Sequence, residues 1–261
     1  HAAVGAFNKL KYPRKPQKRS GHSCPVPAEQ GWALLHSNKA TLSCPMEFRF
    51  FDPSVKTDVT HGDLPHWEQA NAFYFITWRT ADSIPSGVLE RWQTEREAWL
   101  WSHGIDGRMD DWQRKLEELP EEAHREFYQR FTAGWHGLLD ECHGKCVLKS
   151  PDLSLLVENS LRHFDGQRYQ LEAFVVMPNH VHVLAGIPGR GEMKRLCRAW
   201  KNFTAMQINK ALGHHGQFWQ WESFDHLVRN EASLNKFREY IVKNPSKARL
   251  QPGEYRVWTK P

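Results

Sequence analysis

Apolar and aromatic positions along the chain fall into short dense runs and longer stripes of helical spacing. Ala72-Phe73-Tyr74-Phe75-Ile76-Thr77-Trp78-Arg79 is rich in β-branched and aromatic residues and predicts a strand. Residues 85–101 and 109–142 predict helices. Leu89, Trp92, Trp99 and Leu100 mark the face of the first; Phe127, Phe131, Trp135 and Leu138-Leu139 mark the second at spacings of three and four. A third helix covers residues 153–161. Residues 168–177 and 180–186 predict two strands joined by a Pro178-Asn179 turn. A helix from Glu192 to Ala211 carries Met193, Leu196, Trp200, Phe203 and Met206. After an aromatic connector, residues 218–226, a last helix runs from Ser233, read as its N-cap, to Lys243. The order β, long helical stretch, α, β, β, α, α suits an α+β sandwich with helices on one face of a small antiparallel sheet.

Residues 1–45 break this pattern. They are rich in Pro, Ser, Gly and Lys without a period and predict a disordered basic extension, with Met46 a candidate natural start. A single domain is then expected over 46–261. The formal charge of +5 divides into +6 over residues 1–45, −9 over 46–189 and +8 over 190–261. A basic carboxy-terminal third is what a polyanion-binding face needs. Apolar runs far short of a membrane span, and no secretory leader pattern, predict a cytoplasmic protein away from membranes. Five Cys, an odd number at wide spacing, argue for reduced thiols. Cys142-His143 and Cys146 have no fourth zinc ligand close by, and Cys24 and Cys44 lie in the extension.

His180-Val181-His182 is the sharpest chemical feature. Residues i and i+2 of a strand share a face, so the two imidazoles stand side by side. They read either as a pair of surface histidines or as two ligands of a metal ion that needs a third. A histidine-triad hydrolase is excluded because the next alternate position is Leu184. Tyr240 and Asn244 stand at i and i+4 of a helix, with Lys236, Lys243 and Lys247 around them. They read either as a core tyrosine and a helix end set by Pro245, or as a nucleophile beside a metal or phosphate ligand.

In combination these segments carry more. Phe174 through His182, followed by Tyr240 and Asn244-Pro245, resemble the HUH single-tyrosine transposases, the REP-associated tyrosine transposases in particular. Residues 74–85, Phe218-Trp219-Gln220 through Asp225-His226, and Leu64-Pro65-His66-Trp67-Glu68 also match that branch. The resemblance spans roughly residues 62–250. It implies a ferredoxin-like antiparallel sheet with a helical insertion after the first strand. It implies that His180, His182 and Asn244 hold Mg²⁺ or Mn²⁺ against the scissile phosphate and that Tyr240 is the nucleophile.

The implied activity is cleavage and rejoining of single-stranded DNA beside a hairpin, through a 5′-phosphotyrosine, in the cytoplasm at the nucleoid. Relatives act as monomers or as dimers that share helices, so a homodimer is one expected state. Lys194, Arg195, Arg198 and Lys201 fall at helical spacing and can track phosphates, or form a solvated face. Trp219, with Trp200, Trp221 and Phe218, can stack on bases or pack in the core. Two other readings compete: a domesticated hairpin-binding protein without turnover, and a replication initiator or relaxase. The second usually carries further tyrosines near the first, and here only Tyr255 follows, outside a helix.

Overall fold

The computed structural model describes residues 47–61, 65–109, 111–133 and 141–261. The expected extension over residues 1–45 lies outside them. Two short strands, β1 (Asp58–His61) and β2 (Pro65–Glu68), pair with each other. The main sheet holds β3 (Ala72–Arg79), β4 (Gln170–Val176), β5 (His180–Ile187), β6 (Phe224–Leu227) and β7 (Arg256–Thr259). Its order is β6-β3-β5-β4-β7, and every pairing is antiparallel. β3 and β4 therefore run parallel on either side of β5, joined by a helical crossover. β5 and β6 flank β3 in the same way. These interleaved crossovers are the ferredoxin-like arrangement, with β7 added at one edge.

The strand alternation sorts side chains into two cores. Tyr74, Ile76 and Trp78 of β3 and Val181 and Val183 of β5 pack against α4 (Pro151–Arg162) and α5 (Glu192–Leu212). Trp78, only 2% exposed, stacks on Trp200 at 5.8 Å and meets the edge of Trp219 at 6.3 Å. On the other face Phe75, Val175 and Leu184 pack against Leu234, Phe237 and Ile241 of α6 (Glu231–Lys247). The expected single helical layer is thus corrected. α4 and α5 form one layer, and α6 covers the face that carries the histidines.

The insertion between β3 and α4 holds α1 (Ser86–Ser102), α2 (Trp112–Glu117) and α3 (Glu121–Phe127). The expected continuous helix over 109–142 is broken at Pro120, which lacks the N–H a helix interior needs and begins α3 instead. A π-helical turn, Tyr128–Ala133, follows α3; residues 134–140 lie outside the description. Trp99, Leu100, Trp112, Leu116, Phe127 and Phe131 form a core of their own that takes nothing from the main sheet. The Arg96 guanidinium lies 4.6 Å from the centre of the Trp112 ring.

α6 is also held by charge. A bulge between Leu171 and Ala173 turns Glu172 onto the α6 face. Its carboxylate accepts from Arg238 at 2.6 Å and from Lys260 at 3.0 Å. No helix among the described residues is long and apolar enough to cross a membrane.

Candidate active site

Cross-strand register assembles the site wall. β3 pairs with β5 so that Thr77 stands opposite His182 and Arg79 opposite His180. Opposed residues share a face, so all four side chains point toward α6. His180 and His182 are fully buried, with ring centroids 4.7 Å apart.

Hydrogen bonds orient both rings. Asn179 Nδ2 donates to the His143 carbonyl at 2.9 Å, so its Oδ1 faces His180 Nδ1 at 2.8 Å. An amide oxygen only accepts, so Nδ1 of His180 carries a proton and donates to it. Thr77 Oγ1 lies 2.7 Å from His182 Nδ1 and can fix that ring in the same tautomer. The Nε2 atoms of both rings are buried.

α6 supplies the facing wall. Its N-cap is Asn230, whose side chain accepts from the Ser233 amide at 2.8 Å; this corrects the expected cap at Ser233. The helix also runs past Pro245 to Lys247, because a proline in the last turn removes only one backbone bond. The extra turn keeps Asn244 on the helix, fully buried. The Tyr240 ring lies 5.2 Å from the His182 ring and meets Phe75 edge-on at 5.9 Å. Lys247 Nζ sits 4.8 Å from the Tyr240 ring centre. Of the expected site residues, His180, His182, Tyr240 and Lys247 are linked by these ring contacts, and Asn244 lies one helical turn after Tyr240. Lys236 and Lys243 are exposed, and Lys243 pairs with Glu239 at 2.8 Å.

The expected DNA contacts of α5 lie elsewhere. α5 packs on the sheet face opposite the histidines, so Lys194, Arg195, Arg198 and Lys201 do not border them. Arg195 pairs with Glu192, and Lys201 Nζ donates to the Trp221 carbonyl at 2.6 Å. Trp219 is corrected from a stacking candidate to a core residue. It is 4% exposed, and its Nε1 donates to Thr204 Oγ1 at 2.9 Å, so neither ring face is open to a base. Trp200 is buried likewise, whereas Trp221 is 83% exposed.

Among the described residues, no three His, Cys, Asp or Glu side chains are placed to hold a metal ion together. Cys146 Sγ approaches the Cys142 carbonyl at 2.7 Å.

His66 and His226 have opposite character. His66 lies between Asp225, at hydrogen-bonding contact, and Glu222 at 3.1 Å. Burial alone would lower its pKa, but these carboxylates hold it above the ordinary histidine value. His226, packed on Phe237, is pushed down to about 4 by burial and by the charge of Arg229. The folded chain therefore resists a proton that the unfolded chain accepts near pH 6.5. Stability from this group is full above that pH and is lost as pH falls toward 4. Between pH 7.5 and 4.5 the loss is expected to be roughly 2–3 kcal/mol. Urea unfolding at both pH values checks it, with His226→Gln showing a correspondingly smaller drop.

Sequence reasoning missed Thr77 and Arg79 as site residues, and it left Asn179 in a turn. The adjacency of Asn179 to His180 was a readable signal. The β3–β5 register that places Thr77 and Arg79 was not.

Residues 147–244 match the family model described as "Transposase IS200 like". That segment runs from the turn before α4 to Asn244 and so includes both histidines, Tyr240 and the amide. Among solved structures, a REP-associated tyrosine transposase bound to a REP hairpin aligns with 72% of this chain and 74% of its own. The two are 14% identical, with a TM-score of 0.36. No curated protein matches the chain.

Proposed function

We propose that this IS200-like chain is a metal-dependent transposase that cleaves and rejoins single-stranded DNA beside hairpin elements, with Tyr240 as nucleophile. The observation that carries this reading is the placement of Tyr240 on α6, its ring 5.2 Å from His182 on the facing strand. The donor set of two imidazole nitrogens and the Asn244 amide oxygen fits a divalent ion. Imidazole ligands suit Mn²⁺ better than Mg²⁺, which prefers an all-oxygen shell. A bound ion supplies neutralisation of phosphate charge.

The chain's own residues do the rest. Asn179 and Thr77 hold the imidazoles with Nε2 toward the site. Tyrosine has an ordinary pKa of about 10, and Lys247 sets an ammonium 4.8 Å from the Tyr240 ring centre. In the reaction the Tyr240 oxygen bonds to phosphorus, the bond to the 3′ oxygen breaks, and that oxygen leaves with a proton. The phosphotyrosine retains the bond energy, so a second 3′-hydroxyl can reverse the step without ATP.

The test uses 5′- and 3′-labelled single-stranded hairpins from the DNA flanking the gene, incubated with Mn²⁺ or Mg²⁺ and run on a denaturing gel. A chelator-sensitive adduct on the fragment with the new 5′ end, mapped by mass spectrometry to Tyr240, is the expected result. Tight hairpin binding without adduct in either metal would establish the non-catalytic binding protein instead. Asn179→Ala is expected to weaken Mn²⁺ binding about 10- to 100-fold through loss of ring orientation. Calorimetric titration of the protein with Mn²⁺ reads that change.

A further inference from the structure

On the α6 face of β3 stand, in turn, Phe75, Thr77 and Arg79. Thr77 fixes the ring of His182, and Arg79 is the cross-strand partner of His180. Directly opposed residues have Cβ atoms about 5 Å apart. The Arg79 side chain therefore starts from the histidine wall itself. It is only 8% exposed, although removing a guanidinium from water costs several kcal/mol. One Arg79 N–H donates to Ser83 Oγ at 3.0 Å, and that buried hydroxyl in turn donates to the Thr80 carbonyl at 2.9 Å. Burial lowers the Arg79 pKa to about 10, which leaves the group cationic at neutral pH.

A guanidinium is a planar fork of donors matched to phosphate oxygens. The strand ends at this residue, and its backbone is held there. Gln220 N donates to the Arg79 carbonyl at 2.9 Å, and Ala81 N donates to the Phe218 carbonyl at 2.8 Å. The fork therefore stands on a fixed scaffold, as a preorganised charge must.

We propose that Arg79 is a phosphate ligand of this site, donating to a non-bridging oxygen of the phosphate that Tyr240 attacks. The inference rests on the transposase reading above. Arg79 stays protonated throughout. It stabilises the charge that builds on the oxygens as the tyrosine–phosphorus bond forms and the bond to the 3′ oxygen breaks.

The test compares two hairpin-bearing single strands, one with a normal phosphodiester and one with an uncharged methylphosphonate at the cleaved position. Wild type, Arg79→Met, Arg79→Lys and Ser83→Ala are measured for adduct rate and for equilibrium binding in Mn²⁺. Arg79→Met is expected to slow adduct formation about 10²- to 10³-fold on the phosphodiester and less than about fivefold on the methylphosphonate. Arg79→Lys, which keeps the charge without the fork, is expected to fall between.

Equal losses on both strands, or a matching loss in Ser83→Ala, would make Arg79 a structural support of the 80–83 turn and overturn the proposal. So would an unchanged Arg79→Met. If wild type forms no adduct, the cleavage reading fails by itself. The binding comparison then still decides Arg79, since a phosphate ligand weakens affinity for the charged strand alone when removed. If Arg79→Met does not fold, Arg79→Lys on the two strands makes the same comparison.

Discussion

Tyr240→Phe is expected to abolish the covalent DNA adduct while leaving the fold and hairpin binding in place. The substitution removes one buried oxygen and keeps the ring that meets Phe75 and lies beside His182. Among the other described tyrosines, Tyr74 and Tyr169 are buried in the opposite core, Tyr128 lies in the helical insertion and Tyr255 lies beyond the end of α6. Loss of a nucleophile from a site that acts as a unit costs about 10⁶ in rate. Denaturing gels of labelled strands measure the adduct, and a binding isotherm with the same strand measures retained affinity. An adduct surviving in Tyr240→Phe would assign the nucleophile elsewhere.

The second large effect is on stability. Trp78→Ala is expected to destabilise the protein by about 3–5 kcal/mol. Trp78 is 2% exposed and contacts both Trp200 of α5 and Trp219 of the connector. Truncation leaves a cavity between three elements that cannot all close on it, since Trp219 is tied to Thr204 and the connector is tied to β3. The denaturant midpoint reads the change. Thr77 and Arg79 flank this residue on the active face, so loosening here reaches the site from behind.

What the sequence disclosed follows from how local each signal is. β3 and β5 were readable because their apolar runs are long and bounded, and α4 and α5 because their stripes repeat. β6 and β7 are four residues each and exist through pairing to β3 and β4, which no local pattern announces. Asn230 rather than Ser233 caps α6 because its extended backbone aims the amide oxygen at the first turn. His180, His182, Tyr240 and Asn244 were legible as residue types at set spacings. Their meeting across two elements some sixty residues apart came only through family resemblance. Trp219 and Trp221 are alike in sequence, yet one is buried and one is in solvent. That difference belongs to the tertiary packing.

The strand order has a consequence for the route by which the site forms. In the five-stranded sheet only β4 and β5 are both adjacent in space and consecutive in the chain. β3 must wait for a partner that follows some hundred residues later, across the helical insertion. Closing such long loops is entropically costly and slows folding. The β4–β5 hairpin has a three-residue connection and little such cost. The strand bearing both histidines is therefore expected to form early in the folding nucleus, with the helix bearing the tyrosine docking onto it later. Substitutions in β5 should then slow folding, and those in α6 should mainly speed unfolding.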